Sequence, residues 1–217
     1  MTKSKPRVGI SLRIVEAQNY NEKRDALSQD WVPFLETLSF QPIFLPNNLS
    51  DVQSYLTEIE LDAFILSGGD DLGVHPERDR TEKKIIEFAV NSKIPIFGVC
   101  RGMQIINDYF QGSLVHNSSS NHTGKRHILK LVNETFADQL GTYSLDVNSF
   151  HNNTIIKEGL GNHLEPFAKC DEDNTIEGFF HNTLPIVGVM WHLERDPNPT
   201  NELILKKSIL DKAFWYN

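Results

Sequence analysis

Pro95-Ile96-Phe97-Gly98-Val99-Cys100-Arg101-Gly102-Met103-Gln104 reads as a strand that turns into a helix through one reactive side chain. The apolar run from Ile94 to Val99 stops at Cys100, and a helical pattern from Met103 to Phe110 starts just after it. Gly98 and Gly102 flank the cysteine at two residues on either side. Neither carries a β-carbon, so strand and helix can approach closely around a strained residue. Buried strand, sharp turn and helix, with the reactive group at the tip, is the layout of a nucleophile elbow. A helix N-terminus favours negative charge, which suits a thiolate. A lone cysteine closing a core strand is usually buried structure. The paired glycines and the strand-to-helix switch argue for a nucleophile instead.

Working outward, the elbow is one βα unit among several. Val8–Leu12 reads as a first strand and Asp30–Leu38 as a helix whose Pro33 sits in the first turn. Pro42–Pro46 is a short strand, Val52–Leu61 a helix, Ala63–Leu66 a strand and Thr81–Ser92 a helix. Such alternation implies a parallel sheet covered on both faces. After Gly112 the chain changes character. Short strands are expected at Ile128–Leu131, Ser144–Val147, Thr175–Phe179 and Ile186–Met190, then a final helix from about Glu202 to Trp215. The Ser- and Asn-rich stretch Asn117–Arg126 reads as a mobile loop. A chain of 217 residues suits one α/β domain, taken as residues 1–217.

A cysteine nucleophile needs a base, and the base needs an orienting acceptor. Leu184–Arg195, LPIVGVMWHLER, is an apolar strand ending in His192, with Glu194 two residues on. In extended chain those two side chains share a face. Alone, the pair would read equally well as a surface histidine and a solvated glutamate. A tetrahedral intermediate also needs preorganised backbone N–H donors. The N–H of Arg101 at the start of the elbow helix is one candidate. The other comes from the Ser67-Gly68-Gly69 turn after strand Ala63–Leu66, from Gly69 ahead of Gly68. Ligands of open α/β sheets bind at the carboxyl ends of strands, and Ser67–Gly69, Cys100 and His192 all follow strands.

The remaining features bound the function. A formal charge of −8 argues against nucleic acid as a partner. The two cysteines, Cys100 and Cys170, do not suggest a disulfide framework, and Cys170 beside Asp171, Glu172 and Asp173 is a poor second nucleophile. The eight histidines show no paired metal-ligand spacing, so no metal and no cofactor is expected. The N-terminus lacks the apolar core of a signal peptide, and no membrane-spanning run is present, which predicts a cytoplasmic protein with a reduced thiol.

GVCRGMQ followed by GVMWHLE resembles the class I glutamine amidotransferase superfamily, and Arg101 after the cysteine resembles its free-standing γ-glutamyl hydrolase branch. Ser67–Asp71, Arg78-Asp79 with Glu82, and Asn148–His151 are softer matches. The resemblance runs from about Val8 to Glu194. It implies a flavodoxin-like open, mostly parallel sheet with helices on both faces. It also implies a Cys100–His192–Glu194 triad and an oxyanion hole at Gly69 and Arg101. Gly68, Gln104, Ser149, Phe150 and His151 would then bind substrate. Met190 to Glu194 departs from the family, which often has a glutamine and a proline around the histidine. The implied activity is hydrolysis of a small-molecule γ-glutamyl amide through a cysteine thioester. Arg24–Trp31 and Gln41–Asn47 most resemble the γ-glutamyl-CDP-amidate hydrolases, which release glutamate from a nucleotide conjugate for surface-polysaccharide phosphoramidate synthesis. For a diphosphate, Arg13, Arg24, Arg78, Arg101 and Lys125-Arg126 are the candidate cations, with Arg101 read as exposed. A γ-glutamyl-aminobutyrate-type hydrolase, a glutaminase subunit serving a separate synthase, and a silent sensor or scaffold stay open as alternatives. The sequence leaves the oligomeric state open.

Overall fold

The computed structural model describes residues 5–116 and 122–211. Strand β1 (Arg7–Ser11) leads into a hairpin of β2 (Arg13–Glu16) and β3 (Lys23–Ala26), then α1 (Trp31–Thr37), β4 (Gln41–Leu45) and α2 (Val52–Ile59). Next come β5 (Ala63–Leu66), α3 (Pro76–Ser92), β6 (Ile96–Val99) and α4 (Arg101–Tyr109). The rest is β7 (Thr123–Leu131), α5 (Glu134–Leu140), β8 (Ser144–Phe150), β9 (Leu164–Cys170), β10 (Ile176–His181), β11 (Ile186–Val189) and α6 (Pro199–Lys206), which widens into a π-helical turn over Lys207–Asp211.

One nine-stranded sheet holds the chain in the order β4-β1-β5-β6-β11-β10-β9-β7-β8. The first five strands in that order pair in parallel, and the last four join through antiparallel pairings. Only β10 and β7 therefore run against the common direction, which makes the sheet mostly parallel. β4, the edge strand, carries Pro42, where its missing N–H costs no central ladder bond. Alternation along the inner strands sends side chains to two cores. Ala63, Ile65, Phe97 and Val99 join Trp31, Phe34 and Ile204 on one face. Phe64, Leu66 and Ile96 join Ile85, Ile86, Met103 and Ile106 on the other. The sheet is thus covered on both faces, as the βα alternation requires.

Several boundaries differ from the sequence reading. α3 starts at Pro76 rather than Thr81, because proline is at home in a first turn, and Glu77 and Asp79 add favourable charge there. α4 begins at Arg101, with Cys100 as its N-cap. The β2–β3 hairpin, α5 and β9 are additions that the sequence reading does not contain. Within the stretch expected as a loop, 117–121 lie outside the described residues. Thr123–Arg126 belong to β7 and pair with β8, so that part of the expectation is corrected.

Candidate active site

β5, β6 and β11 are neighbours in the parallel half, with Leu66 opposite Gly98 and Val99 opposite Val189. Their carboxyl ends therefore deliver Ser67–Gly69, Cys100 and His192 to one edge. Cys100 has φ 52° and ψ −108°, a positive φ that a side chain adopts only under constraint. The constraint is packing at the flanking glycines. A β-carbon on Gly102 would lie 1.9 Å from the Leu66 carbonyl oxygen, and one on Gly98 would lie 2.6 Å from the Gly102 carbonyl oxygen. Strand and helix touch backbone to backbone, and Cys100 is held at the tip.

His192 faces Cys100 across Gly68. A β-carbon on Gly68 would meet His192 Cε1 at 2.7 Å and the Cys100 Cβ at 3.6 Å, so the bare glycine makes room for the imidazole. His192 Nδ1 lies 2.7 Å from Glu194 Oε1, and both residues are buried. Asn148 grips the backbone of His192 twice. Its Oδ1 accepts from the His192 N–H at 2.9 Å, and its Nδ2 donates to the His192 carbonyl at 2.8 Å. Asn148 sits on β8, at the far edge of the sheet, so the antiparallel half curls back over the carboxyl ends of the parallel strands.

Burial pushes the Cys100 thiol up, but hydrogen bonding and charge from His192, the charge of His151 and the Arg101 N–H outweigh it and bring it below its ordinary value. Burial pulls His192 down. Hydrogen bonds to Cys100 and Glu194, with their charges, raise it to about 9. Both shifts run in the direction that favours a thiolate–imidazolium pair.

Beneath the site lies a buried ionic network. Arg101 pairs with Asp79 and Glu82, and Arg78 Nε donates to Glu82 Oε1 at 3.0 Å. Ser11 Oγ donates to the same Glu82 oxygen at 2.7 Å. Arg78 Nη2 also donates to the carbonyls of Ser67 at 2.8 Å and Gly68 at 3.1 Å. A trans peptide points its N–H opposite to its C=O. With both carbonyls turned to Arg78, the N–H groups of Gly68 and Gly69 are turned away from it. Arg101, read from sequence as exposed, is only 2% exposed. Its guanidinium is spent on Asp79 and Glu82, so only its backbone N–H is left for chemistry at the elbow.

The remaining expected residues separate. Gly68, Gly69, Phe150 and Glu194 line one cleft of about 170 Å³ with Cys100 and His192. Arg13, Leu27, Ser28, Trp31, Ser67, Asp70 and Arg195 complete it. Larger depressions of about 640 and 800 Å³ lie away from the thiol, against α2 and α3 and beside α6. Gln104 is buried one turn below Cys100, its amide nitrogen 3.7 Å from Met190 Sδ. Ser149 turns its hydroxyl to the His122 carbonyl, away from the cleft. His151 lies in a second cluster. Its Nδ1 meets the Asn153 carbonyl at 3.0 Å and its Nε2 lies 3.5 Å from Glu177 Oε2. His127 Nε2 approaches the same Glu177 oxygen at 3.6 Å, and its Nδ1 faces His122 Nδ1 at 3.2 Å. These histidines, with Cys170 and Glu177, are the described residues that gather potential metal-ligand atoms. The His122 and His151 rings stack with centroids 4.7 Å apart, 23° from parallel. The Cys170 thiol is raised, first by burial rather than by its acidic neighbours. Sequence reasoning misses Asn148, Arg195 and, apart from His151, the Glu177 cluster as site residues. Asn148 opens the Asn148–His151 segment that resembles the family, whereas Arg195 and Glu177 carry no local motif.

The family model for peptidase C26 matches residues 6–194. The chain belongs to the peptidase C26 family. It is 37% identical over 209 residues, 92% of this chain and 96% of the relative, to a γ-glutamyl-CDP-amidate hydrolase of Campylobacter jejuni. A Thermoplasma acidophilum protein described as part of a GMP synthase superposes with a TM-score of 0.73 at 20% identity, covering 97% of this chain and 94% of the other. A glutamine amidotransferase of Thermotoga maritima gives 0.65 at 16% identity, covering 96% of each chain. These two share the C26 chain's fold.

Proposed function

We propose that this C26 chain hydrolyses a γ-glutamyl amide bond through a thioester on Cys100. The observation that carries the reading is the strained thiol at the helix N-terminus, faced by an imidazole that Glu194 holds at 2.7 Å. The thiolate attacks the γ-carbonyl carbon. The oxyanion is held by the N–H groups of Arg101 and of Gly69 in the turn. As the C–N bond breaks, the His192 proton passes to the leaving nitrogen, and the γ-glutamyl thioester remains on Cys100. Water then gives a proton back to His192 and attacks the thioester, releasing glutamate and the thiolate. Glu194 keeps the proton of Nδ1 in place, so that Nε2 is the nitrogen that works on substrate.

For the substrate, we infer γ-glutamyl-CDP-amidate, giving glutamate and cytidine diphosphoramidate. The similarity to the Campylobacter hydrolase along nearly the whole of both chains supports this choice. The step would then serve surface-polysaccharide phosphoramidate synthesis. Turnover of γ-glutamyl-CDP-amidate, γ-glutamyl-aminobutyrate and glutamine should be compared on the same preparation. Preference for the first is expected, and preference for γ-glutamyl-aminobutyrate would overturn the substrate while leaving the reaction class intact. Cys100→Ala should lower turnover at least about a thousandfold in a folded protein. Intact mass should reveal a γ-glutamyl adduct on the wild-type chain that the variant lacks. Near-full activity of Cys100→Ala would overturn the mechanism.

A further inference from the structure

We propose that Arg13 and Arg195 form the subsite for the anionic leaving group, a nucleoside diphosphate joined through nitrogen. The proposal rests on the γ-glutamyl amide reading and adds where the charge of the departing half is met. The cleft at Cys100, about 170 Å³, is small beside the several hundred cubic ångströms that typical ligand sites offer. A glutamyl group fits that scale and a whole nucleotide conjugate does not, so the departing half must lie along the rim. Among the described residues, Arg13 and Arg195 are the arginines that line it.

Their origins put them on two sides of the scissile bond. Arg13 rises from β2 beside the glycine turn, with its Cβ 3.4 Å from where a β-carbon on Gly69 would stand. Arg195 follows Glu194, and its guanidinium lies 4.7 Å over the Phe150 ring. That ring in turn meets His192 edge-on at 6.0 Å. His192 gives its proton to the leaving nitrogen, so whatever is attached to that nitrogen emerges beside Phe150 and Arg195.

Both guanidiniums are also incompletely engaged. Arg13 reaches Asp70 only at 3.7 Å, beyond hydrogen-bond length, and its buried Nε has no partner. Arg195 lies 4.0 Å from Glu194, whose same oxygen is already bound by His192. The other arginines named as diphosphate candidates are committed elsewhere. Arg78 and Arg101 are buried in the Glu82 network, Arg24 bonds Glu22 and Tyr20, and Arg126 bonds Asp146 and Asp196. Guanidinium forks suit phosphate oxygens. In a chain of charge −8, an anionic substrate needs such a local counter-field.

The test compares the full-length chain with Arg13→Gln, Arg195→Gln and the corresponding lysine variants, all checked for an unchanged melting temperature. The readout is kcat/KM on γ-glutamyl-CDP-amidate relative to γ-glutamyl-p-nitroanilide, whose leaving group is uncharged. Each glutamine variant should lower that ratio about tenfold to a hundredfold, chiefly through KM on the nucleotide conjugate, as loss of a charged hydrogen bond does. The lysine variants should recover part of it. A ratio that stays at the wild-type value overturns the subsite. If the wild type cleaves the anilide but not the nucleotide conjugate, the substrate reading fails on its own. CDP as an inhibitor of anilide cleavage then decides the subsite. Inhibition that weakens in both glutamine variants upholds an anion site, and absence of inhibition overturns it.

Discussion

Cys100 and His192 titrate as a pair, and the pair fixes a pH window. The thiolate exists above the lowered pKa of Cys100, and the imidazolium exists below about 9. Between those limits both partners carry the charge that the proposed attack needs. kcat/KM should therefore fall above about pH 9 as His192 loses its proton. A rate that keeps climbing past that point would mark an unpaired thiol. In Cys100→Ser, the hydrogen bond and charge that raise His192 are weakened, so its titration, followed by NMR, should move down.

His151 adds a second charge to the same neighbourhood. The Asn153 carbonyl can only accept, so Nδ1 of His151 carries a proton. Its Nε2 faces a carboxylate oxygen of Glu177 at 3.5 Å, and two acceptors would repel there unless Nε2 is protonated as well. Burial lowers His151, but bonding and charge from Glu177 more than offset it, and the net shift is upward. Glu177 itself, despite burial, is held at about 2 by His127 and His151. Glu177→Gln should thus strip the positive charge from His151 and let the Cys100 pKa rise. The acid limb of kcat/KM should then move to higher pH. An unmoved acid limb would show that His151 does not act on the thiol.

Among elements, the glycines of the β5 and β6 ends divide into two kinds. On Gly102 a methyl group would run into the Leu66 carbonyl, which is backbone and cannot turn aside. Gly102→Ala should therefore separate α4 from β5 and destabilise the chain by about 1–3 kcal/mol or more. On Gly68 the methyl would run into His192 Cε1, a side chain that can move. Gly68→Ala should keep the melting temperature and lose activity about a hundredfold, because the base is displaced from the thiol. Melting curves and rates on both variants check this. A Gly68→Ala chain that melts early and works normally would reverse the assignment. Glu82 ties the same elements together from below. Burial raises its pKa, but Arg78 and Arg101 overcome this and hold it below its ordinary value. Its contribution to stability is therefore present at neutral pH and is lost as pH falls through that lowered value.

The elbow and the strand ending in His192 are legible because their signals are local. Each is an apolar run with glycine punctuation and a polar residue at the break. α5 has local signals too, since Asn133 caps it through the Phe136 N–H and Gly141 closes it with positive φ. They are easily missed because the helix is only seven residues long, too short to establish a period. The β2–β3 hairpin has no such signal. Its strands are short and mostly charged, and a long-range contact pins it, as Asp25 accepts from the Asn47 backbone at 2.9 Å and side chain at 2.7 Å. The Glu177 cluster is likewise invisible. His127, His151, Cys170 and Glu177 come together only through the pairing of β7 with β8 and β9, and of β9 with β10. Metal-ligand spacing along the chain says nothing about such cross-strand neighbours.

For the molecule as a whole, the fold does not separate a free-standing hydrolase from a subunit that hands ammonia to a synthase. A protein described as part of a GMP synthase shares it. The site itself favours independence. In this chain the thiol is already strained into its turn, His192 is already clamped by Asn148 and Glu194, and the Gly68 and Gly69 amides are already turned by Arg78. A subunit that waits for its partner would be expected to lack one of these elements until docking supplied it, since preorganised donors and bases raise the rate without further rearrangement. The purified chain alone should therefore hydrolyse γ-glutamyl-CDP-amidate with a kcat on the order of 1–10³ s⁻¹, and adding lysate fractions should not raise it. Negligible turnover by the isolated chain, rising steeply with a co-purifying synthase, would reverse this assignment and make the clamped geometry a resting state rather than a working one.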